Sequence, residues 1–378
     1  YEPGSTYKPL GALIALDEGL INANFGYSCS GYYTSCYKLV KCTHNNPGHA
    51  ANLRLGIANS CNSYFSQVYR MTVENSRIGG LRKAFPLWKD YLNKFGLGKR
   101  LGVDIPGEAN GLVPDTSFYN RIYRGSWNSC TNVSLGIGQG EMQATPLQLA
   151  NAMCIIANKG FYYTPHFVKN IDNESSADTI LRNYRVKHEI LTRISEDSYE
   201  AVYSGMQDVG ERGTSMIPGI NVCAKTGTAE KYRVIDGKRF KLPDNSMYVC
   251  FAPRENPQIA LAVVVENSGF GATWASPIAS LLMEKYLNDT LRAERKTEVE
   301  RISAANLMPT YLDRLQYIED STRAFRWFKM TKDSTYIMKY LKRGRPYIPP
   351  PAKQPAVPIH RVAALPREPK NMKKPLSV

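Results

Sequence analysis

Apolar and polar positions along the chain alternate first with a helical period and then with that of strands. In STYKPLGALIALDEG, residues 5–19, Leu10, Leu13 and Ile14 share one face of a predicted helix. Residues 22–50 are rich in Gly, Asn, Ser, Tyr and Cys and read as an irregular loop. Helical spacing returns over 53–73, on both sides of a break near Ser60, and again over about 79–95, where Gly96 stops it. The stretch 100–140 is turn-rich, with little periodicity. Thr145 as N-cap, Pro146 in the first turn and Gly160 just past the end mark a helix over 145–160. Its surface is apolar nearly all round, which predicts deep burial. Another helix fits 195–209, capped by Ser195 and stopped by Gly210. Three apolar runs, 220–227, 246–253 and 258–267, predict strands, and Ser276 and Pro277 open a closing helix to about Asn288. Helices, then consecutive strands, then a helix imply an α/β (α+β) fold, an antiparallel sheet flanked by helices.

A chain of 378 residues has room for two average domains, or for one large domain with an extension. The second division fits better: a globular domain over 1–290, a basic and partly helical extension over 291–345, and a basic tail over 346–378. That tail holds nine prolines and is expected to be disordered or extended. Of the net charge of +15, residues 292–378 carry +11 (19 Lys and Arg against 8 Asp and Glu), leaving +4 for the rest. Such a tail suits an anionic surface or plain solvation. It lacks the aromatic and glycine pattern of RNA-binding modules, so no nucleic-acid partner is expected. No run approaches the roughly 18 apolar residues of a membrane span, and no signal peptide is visible. Because the chain opens on Tyr1, it reads as a fragment with any anchor upstream.

Three short motifs carry the candidate chemistry. Ser5-Thr6-Tyr7-Lys8 matches S-x-x-K, which on a helix sets an amine beside a hydroxyl. For Lys8 to activate Ser5 it must be neutral part of the time, which burial or a second cation would achieve. Ser60-Cys61-Asn62 matches S-x-N, and Lys225-Thr226-Gly227-Thr228 ends an apolar strand start with a cation, hydroxyls and an exposed edge. Gly227 there is expected to let a substrate chain approach the backbone. Each motif alone is an ordinary helix, turn or strand end; the three in this order are a signature.

Beyond the motifs, YEPGSTYKP, LGVDIPGE (101–108), GIGQGEMQATPLQLANAM (136–153), AKTGTAE (224–230) and FAPRENPQIALAVVVEN (251–267) resemble class B penicillin-binding proteins. Among these the elongation type, type 2, is the best match, over most of residues 1–290. The resemblance implies the penicillin-binding protein and serine β-lactamase-like transpeptidase fold. It implies a Ser5 acyl-enzyme formed on the penultimate D-alanine of a stem peptide, with Lys8 taking the serine proton. Ser60 would relay a proton to the leaving D-alanine, Asn62 would orient Lys8 and the substrate amide, and Lys225 would supply positive field. Thr226 and Thr228 would bind the substrate carboxylate, and the Ser5 and Thr228 N–H groups would form an oxyanion hole. The implied partners are peptidoglycan stem peptides, β-lactams that acylate Ser5, a glycan polymerase and membrane proteins of the elongation complex. The implied location is the inner membrane, with the catalytic domain on the periplasmic side. No organic cofactor is implied. A D,D-carboxypeptidase or β-lactamase would use the same site, and a β-lactam sensor or scaffold would acylate without turnover. Glu284-Lys285-Tyr286-Leu287-Asn288 mimics the E-x-x-L-N of class A β-lactamases, but it follows the third motif and reads as part of the closing helix. Only four residues precede Ser5, so the strands and helix that precede this serine in the family are expected to lie outside the chain, leaving the sheet incomplete.

Cys29, Cys36, Cys42, His44, His49 and Cys61 fall within 33 residues, a density that suits a tetrahedral structural zinc. Some type 2 members hold zinc on two Asp, one His and one Cys here. By that resemblance Cys29 and Cys42 stand in for the Asp pair, with His49 and Cys61 matching directly. The competing readings are a Cys29–Cys42 or Cys36–Cys42 disulfide with Cys61 buried, and free thiols. Cys154, Cys223 and Cys250 sit in apolar runs and read as buried thiols.

Overall fold

The computed structural model describes residues 1–37, 39–44, 46–169, 181–235, 238–307, 323 and 325–334. Residues 1–308 form one compact unit. The proline-rich segment 346–378 and most of 308–345 lie outside the described residues. Among the described residues no helix is long and apolar enough to cross a membrane.

The first element departs from the predicted helix. Gly4–Tyr7 is a 3-10 turn, and the α-helix α1 covers Lys8–Asp17. The cause is Pro9, which has no N–H to give the Ser5 carbonyl. Lys8 N–H takes that acceptor instead, closing the tighter i to i+3 bond. Burial exceeds the single face expected: Leu10, Ala12, Leu13, Ile14 and Ala15 have no exposed surface. At its far end Asp17 and Glu18 accept from Tyr91 at 2.5 and 2.6 Å and from Arg193 at 3.0 and 2.5 Å. Both ends of α1 are therefore fixed.

Residues 22–50 contain one short ribbon, β1 (Tyr32–Tyr33) against β2 (Val40–Lys41). The break at Ser60 separates α2 (Leu53–Ala58) from α3 (Asn62–Val73). The amphipathic α4 (Leu81–Lys94) buries Phe85, Trp88, Tyr91 and Leu92. The turn-rich stretch holds an unpredicted helix, α5 (Thr116–Tyr123), capped by Asp115; with only Tyr119 buried, it has no apolar stripe to read. α6 (Pro146–Ala157) has the expected Thr145 cap, made reciprocal by Gln148. A small hairpin, β3 (Phe161–Tyr163) with β4 (Lys187–Glu189), precedes α7 (Glu196–Gly210).

The sheet is antiparallel, in the order β5 (Cys223–Ile235), β6 (Lys238–Ala252), β7 (Ile259–Val265). Alternation divides its side chains between two cores. Cys223, Met247, Val249 and Phe251 face the helices around α1, while Ala224, Tyr248, Cys250 and Ala252 face Ala275, Ala279 and Met283 of α8 (Ala275–Asn288). β5 and β6 run on past the end of β7 as a two-stranded ribbon with a bulge between Ala229 and Lys231. Its polar, charged sequence hides it from a hydrophobic reading. Glu284 is buried between Arg292 and Arg295, at 2.7 and 3.0 Å, which fastens the start of the extension and its helix α9 (Lys296–Ala304) to α8.

The Ser5 turn is held from below by Gly138, whose carbonyl accepts from Gly4 N–H at 2.7 Å. Gly138 has φ +71°, and a Cβ there would lie 2.1 Å from the Gly4 oxygen. Gly138→Ala is therefore expected to destabilise by more than 2 kcal/mol, against about 1 kcal/mol for Gly125→Ala, where φ is +82° but nothing lies nearby. Denaturant melts of the two variants test this; equal losses would contradict it.

Candidate active site

All three motifs converge on Lys8. Lys8, the first residue of α1, closes the 3-10 turn by giving its N–H to Ser5 O, so the two residues lie one turn apart. The Lys8 side chain has no exposed surface. Its Nζ donates to Ser60 O at 2.7 Å, Ser60 Oγ at 3.0 Å and Asn62 Oδ1 at 2.6 Å, and lies 5.6 Å from the centre of the Phe65 ring. Burial pulls its pKa down from 10.5 to about 7, against the opposing pull of Cys42 and Cys61. A half-neutral amine near neutral pH is what a proton acceptor for Ser5 requires. Among the described residues Ser5 Oγ makes no hydrogen bond to it.

The helix ending on α2 places Ser60. Ser60 N–H bonds Ile57 O and Cys61 N–H bonds Gly56 O, at 3.0 and 3.1 Å, the paired bonds of a Schellman cap. Such a cap needs a left-handed residue, usually glycine; here Ser60 takes it with φ +52°. Immediately afterwards Cys61 caps α3 by accepting from Tyr64 N–H. Asn62, the first residue of α3, is held at both ends, accepting from Lys8 and donating to Lys41 O at 2.8 Å.

Lys225, Thr226, Gly227 and Thr228 occupy β5, paired with Val249, Tyr248, Met247 and Ser246. Lys225 is fully buried, and its Nζ donates to Thr226 O at 3.2 Å. Burial, then the charges of Lys8 and Arg212, hold its pKa well below the usual lysine value. The Gly4 and Thr228 backbones touch, with the Gly4 Cβ position 3.0 Å from Thr228 O. A Cβ on Gly227 would meet the Thr6 methyl at 2.8 Å and Pro3 O at 3.2 Å, so the Ser5 turn closes this face of the strand.

Residues 1–284 match the penicillin binding protein transpeptidase domain. The chain belongs to that family. It is 29% identical to the peptidoglycan D,D-transpeptidase MrdA of Haemophilus influenzae over 321 residues, 79% of this chain and 46% of that one. Against MrdA of Acinetobacter baumannii it is 29% identical over 303 residues, 76% of this chain and 42% of the relative. The chain thus spans less than half the length of these curated relatives. A crystal structure of Pseudomonas aeruginosa PBP2 in complex with WCK 5153 superposes with a TM-score of 0.63 at 30% identity, covering 78% of this chain and 64% of the other.

In this penicillin-binding transpeptidase domain a second cluster lies behind the Ser60 turn. The ligand atoms of Cys29, Cys42, His49 and Cys61 all lie within 4.8 Å of one another, and all four residues are buried. Cys42 Sγ is 3.9 Å from both Cys61 Sγ and His49 Nε2, and His49 Nε2 is 3.2 Å from Cys61 Sγ. A tetrahedral zinc with bonds of about 2.3 Å to sulfur sets sulfurs about 3.8 Å apart, so this donor set fits one. His49 Nδ1 meets Asn46 O at 2.7 Å, which fixes the ring with Nε2 toward the thiols. Sharing a proton with Cys61 pushes Cys42 toward its thiolate and Cys61 toward its thiol. His44 contributes no ligand atom to this set. Both disulfides considered from sequence are overturned: Cys36 is bonded to Cys130, with Cα atoms 5.4 Å apart, while Cys29 and Cys42 are free. Cys130 lies 94 residues from its partner, so no local pattern announces the pair. Cys223 and Cys250 are buried as expected, and Cys154 is half-buried.

The left-handed Ser60 yields a test of stored strain. Ser60→Gly should be more stable than Ser60→Ala by about 1 kcal/mol, since glycine adopts this φ freely. Thermal or urea unfolding of both variants checks it, and a glycine variant no more stable than the alanine one would remove the argument.

Proposed function

We propose that this chain carries the serine D,D-transpeptidase site of a type 2 penicillin-binding protein that cross-links peptidoglycan stem peptides. The observation that carries the reading is the buried, pKa-lowered Lys8, bridging Ser60 and Asn62 one turn from Ser5 and beside Lys225. Ser5 Oγ attacks the carbonyl carbon of the penultimate D-alanine, and neutral Lys8 accepts its proton as the C–O bond forms. The oxyanion is stabilised by the Ser5 and Thr228 N–H groups. Collapse breaks the peptide C–N bond, and the proton passes through Ser60 to the leaving D-alanine. Lys225, Thr226 and Thr228 hold the donor carboxylate. An amine of a second stem peptide then attacks the acyl carbon, gives up its proton and restores the Ser5 hydroxyl. β-Lactams acylate Ser5 as donor mimics. Glu284, tied to Arg292 and Arg295, is occupied in holding the extension, which favours a long-lived penicilloyl-enzyme over a β-lactamase.

Cys29, Cys42, His49 and Cys61 hold a structural zinc in this reading. When bound, it would supply no reaction chemistry; it would fix Cys61, and with it Ser60 and Asn62 on either side. The Cys36–Cys130 disulfide supports an oxidising compartment, hence the periplasmic side of the inner membrane. In such a compartment three free thiols this close would oxidise unless a metal held them. A glycan polymerase and the membrane proteins of the elongation complex are the partners this role requires.

A fluorescent penicillin should label the chain at Ser5 and not Ser5→Ala, with no release over minutes. The labelling rate should rise with pH through about 7, because the fraction of Lys8 able to accept a proton grows as it loses its own. An unlabelled wild type would overturn the transpeptidase reading, and a rate flat from pH 6 to 8 would remove Lys8 as the base. Purified protein should contain about one equivalent of zinc, bound by four ligands. Metal analysis showing under about 0.2 equivalents with intact thiols would end the zinc assignment.

A further inference from the structure

The turn that carries Ser60 has a weakness that its own sequence does not repair. α2 is only six residues long, too short to be stable alone. Its C-terminal cap forces a serine into a left-handed conformation that glycine would take without cost. The cap satisfies the carbonyls of Leu55, Gly56 and Ile57, but among the described residues no backbone N–H reaches Ala58 O.

Arg212 fills that place. Its Nη1 donates to Ala58 O at 2.8 Å, and its Nη2 reaches Asn59 Oδ1 at 3.5 Å. Ala58 is the last residue of α2 and Asn59 its cap, directly before Ser60. Arg212 follows α7 by two residues, and α7 is aligned on α2 by a bidentate pair, Arg54 Nε and Nη2 on the Asp208 carboxylate at 2.8 and 2.9 Å. The same end of α7 presses on the start of β5. A Cβ on Gly210 would come within 2.0 Å of Val222 O, three residues before Lys225. Positive charge on Arg212 is also felt by Lys225. One side chain therefore touches the turn of the second motif while rooted against the strand of the third.

We infer that Arg212 is a positioning residue, which locks the Ser60 turn and keeps it in register with the strand bearing Lys225. Among the described residues no hydrogen bond joins Arg212 to Ser5 or Lys8; its own hydrogen bonds act on the Ser60 turn. The inference rests on the reading of Ser5, Lys8 and Ser60 given above.

The test uses the whole chain and Arg212→Met, which keeps length and removes the charge, beside Arg212→Lys. Acylation by a fluorescent penicillin is resolved into pre-acylation affinity and acylation rate. Native-state amide exchange is followed in the peptide containing Ser60 and Cys61. Loss of one charged hydrogen bond should slow acylation roughly tenfold and speed exchange of these two amides by a similar factor. Affinity should hold within about twofold, and Arg212→Lys should recover part of both losses. In a Ser60→Ala background, Arg212→Met should cost little more, because the two act as one unit. Unchanged exchange in Arg212→Met overturns the inference, as does the same loss of rate in the Ser60→Ala background. If wild type is not acylated at all, the transpeptidase reading fails on that result, and amide exchange alone decides the role of Arg212.

Discussion

A primary amine without exposed surface is the constraint around which this domain is built. Removing Lys8 from water costs several kcal/mol in the charged state, so the fold must supply hydrogen-bond acceptors or let the proton go. It does both. Ser60 and Asn62 provide three oxygens within 3.0 Å, and burial lowers the pKa to about 7. Any movement of α1, the Ser60 turn or α3 would break this arrangement, which explains why each is fastened at more than one point.

The fastenings differ in kind. α1 is anchored by the Asp17, Glu18, Tyr91 and Arg193 network at one end and by Gly138 under the Ser5 turn at the other. The loop over 29–49 is joined to residue 130 by a disulfide and to α3 by Arg70, which reaches Tyr33 and Ser35 O at 3.2 and 3.0 Å. Behind Cys61 stands the Cys and His cluster. Hydrogen bonds from Lys8 and Arg212 and the thiol cluster thus hold a turn whose backbone is itself unfavourable. Strain of this sort persists only where the surroundings over-determine it.

Much of this could be read in the sequence, because the three motifs and the cluster each consist of residues close together along the chain. Spacing puts Ser5 within one turn of Lys8, and a cysteine between Ser60 and Asn62 points away from what they face. What stayed hidden was either distant or unpatterned. Cys130 lies 94 residues from Cys36, and Arg212 lies 154 from Ala58, so neither leaves a local signal. The ribbon beyond β7 is charged, and α5 buries one side chain, so hydrophobic periodicity had nothing to register.

The tightened turn at Ser5 follows from one missing hydrogen atom. Had residue 9 an N–H, the Ser5 carbonyl would have its ordinary partner four residues on, and the serine would belong to a regular helix. In this chain, then, the proline after the motif is part of the motif's meaning. A search for similar sites that spells only serine, two spacers and lysine asks for composition; adding the imino acid asks for a geometry.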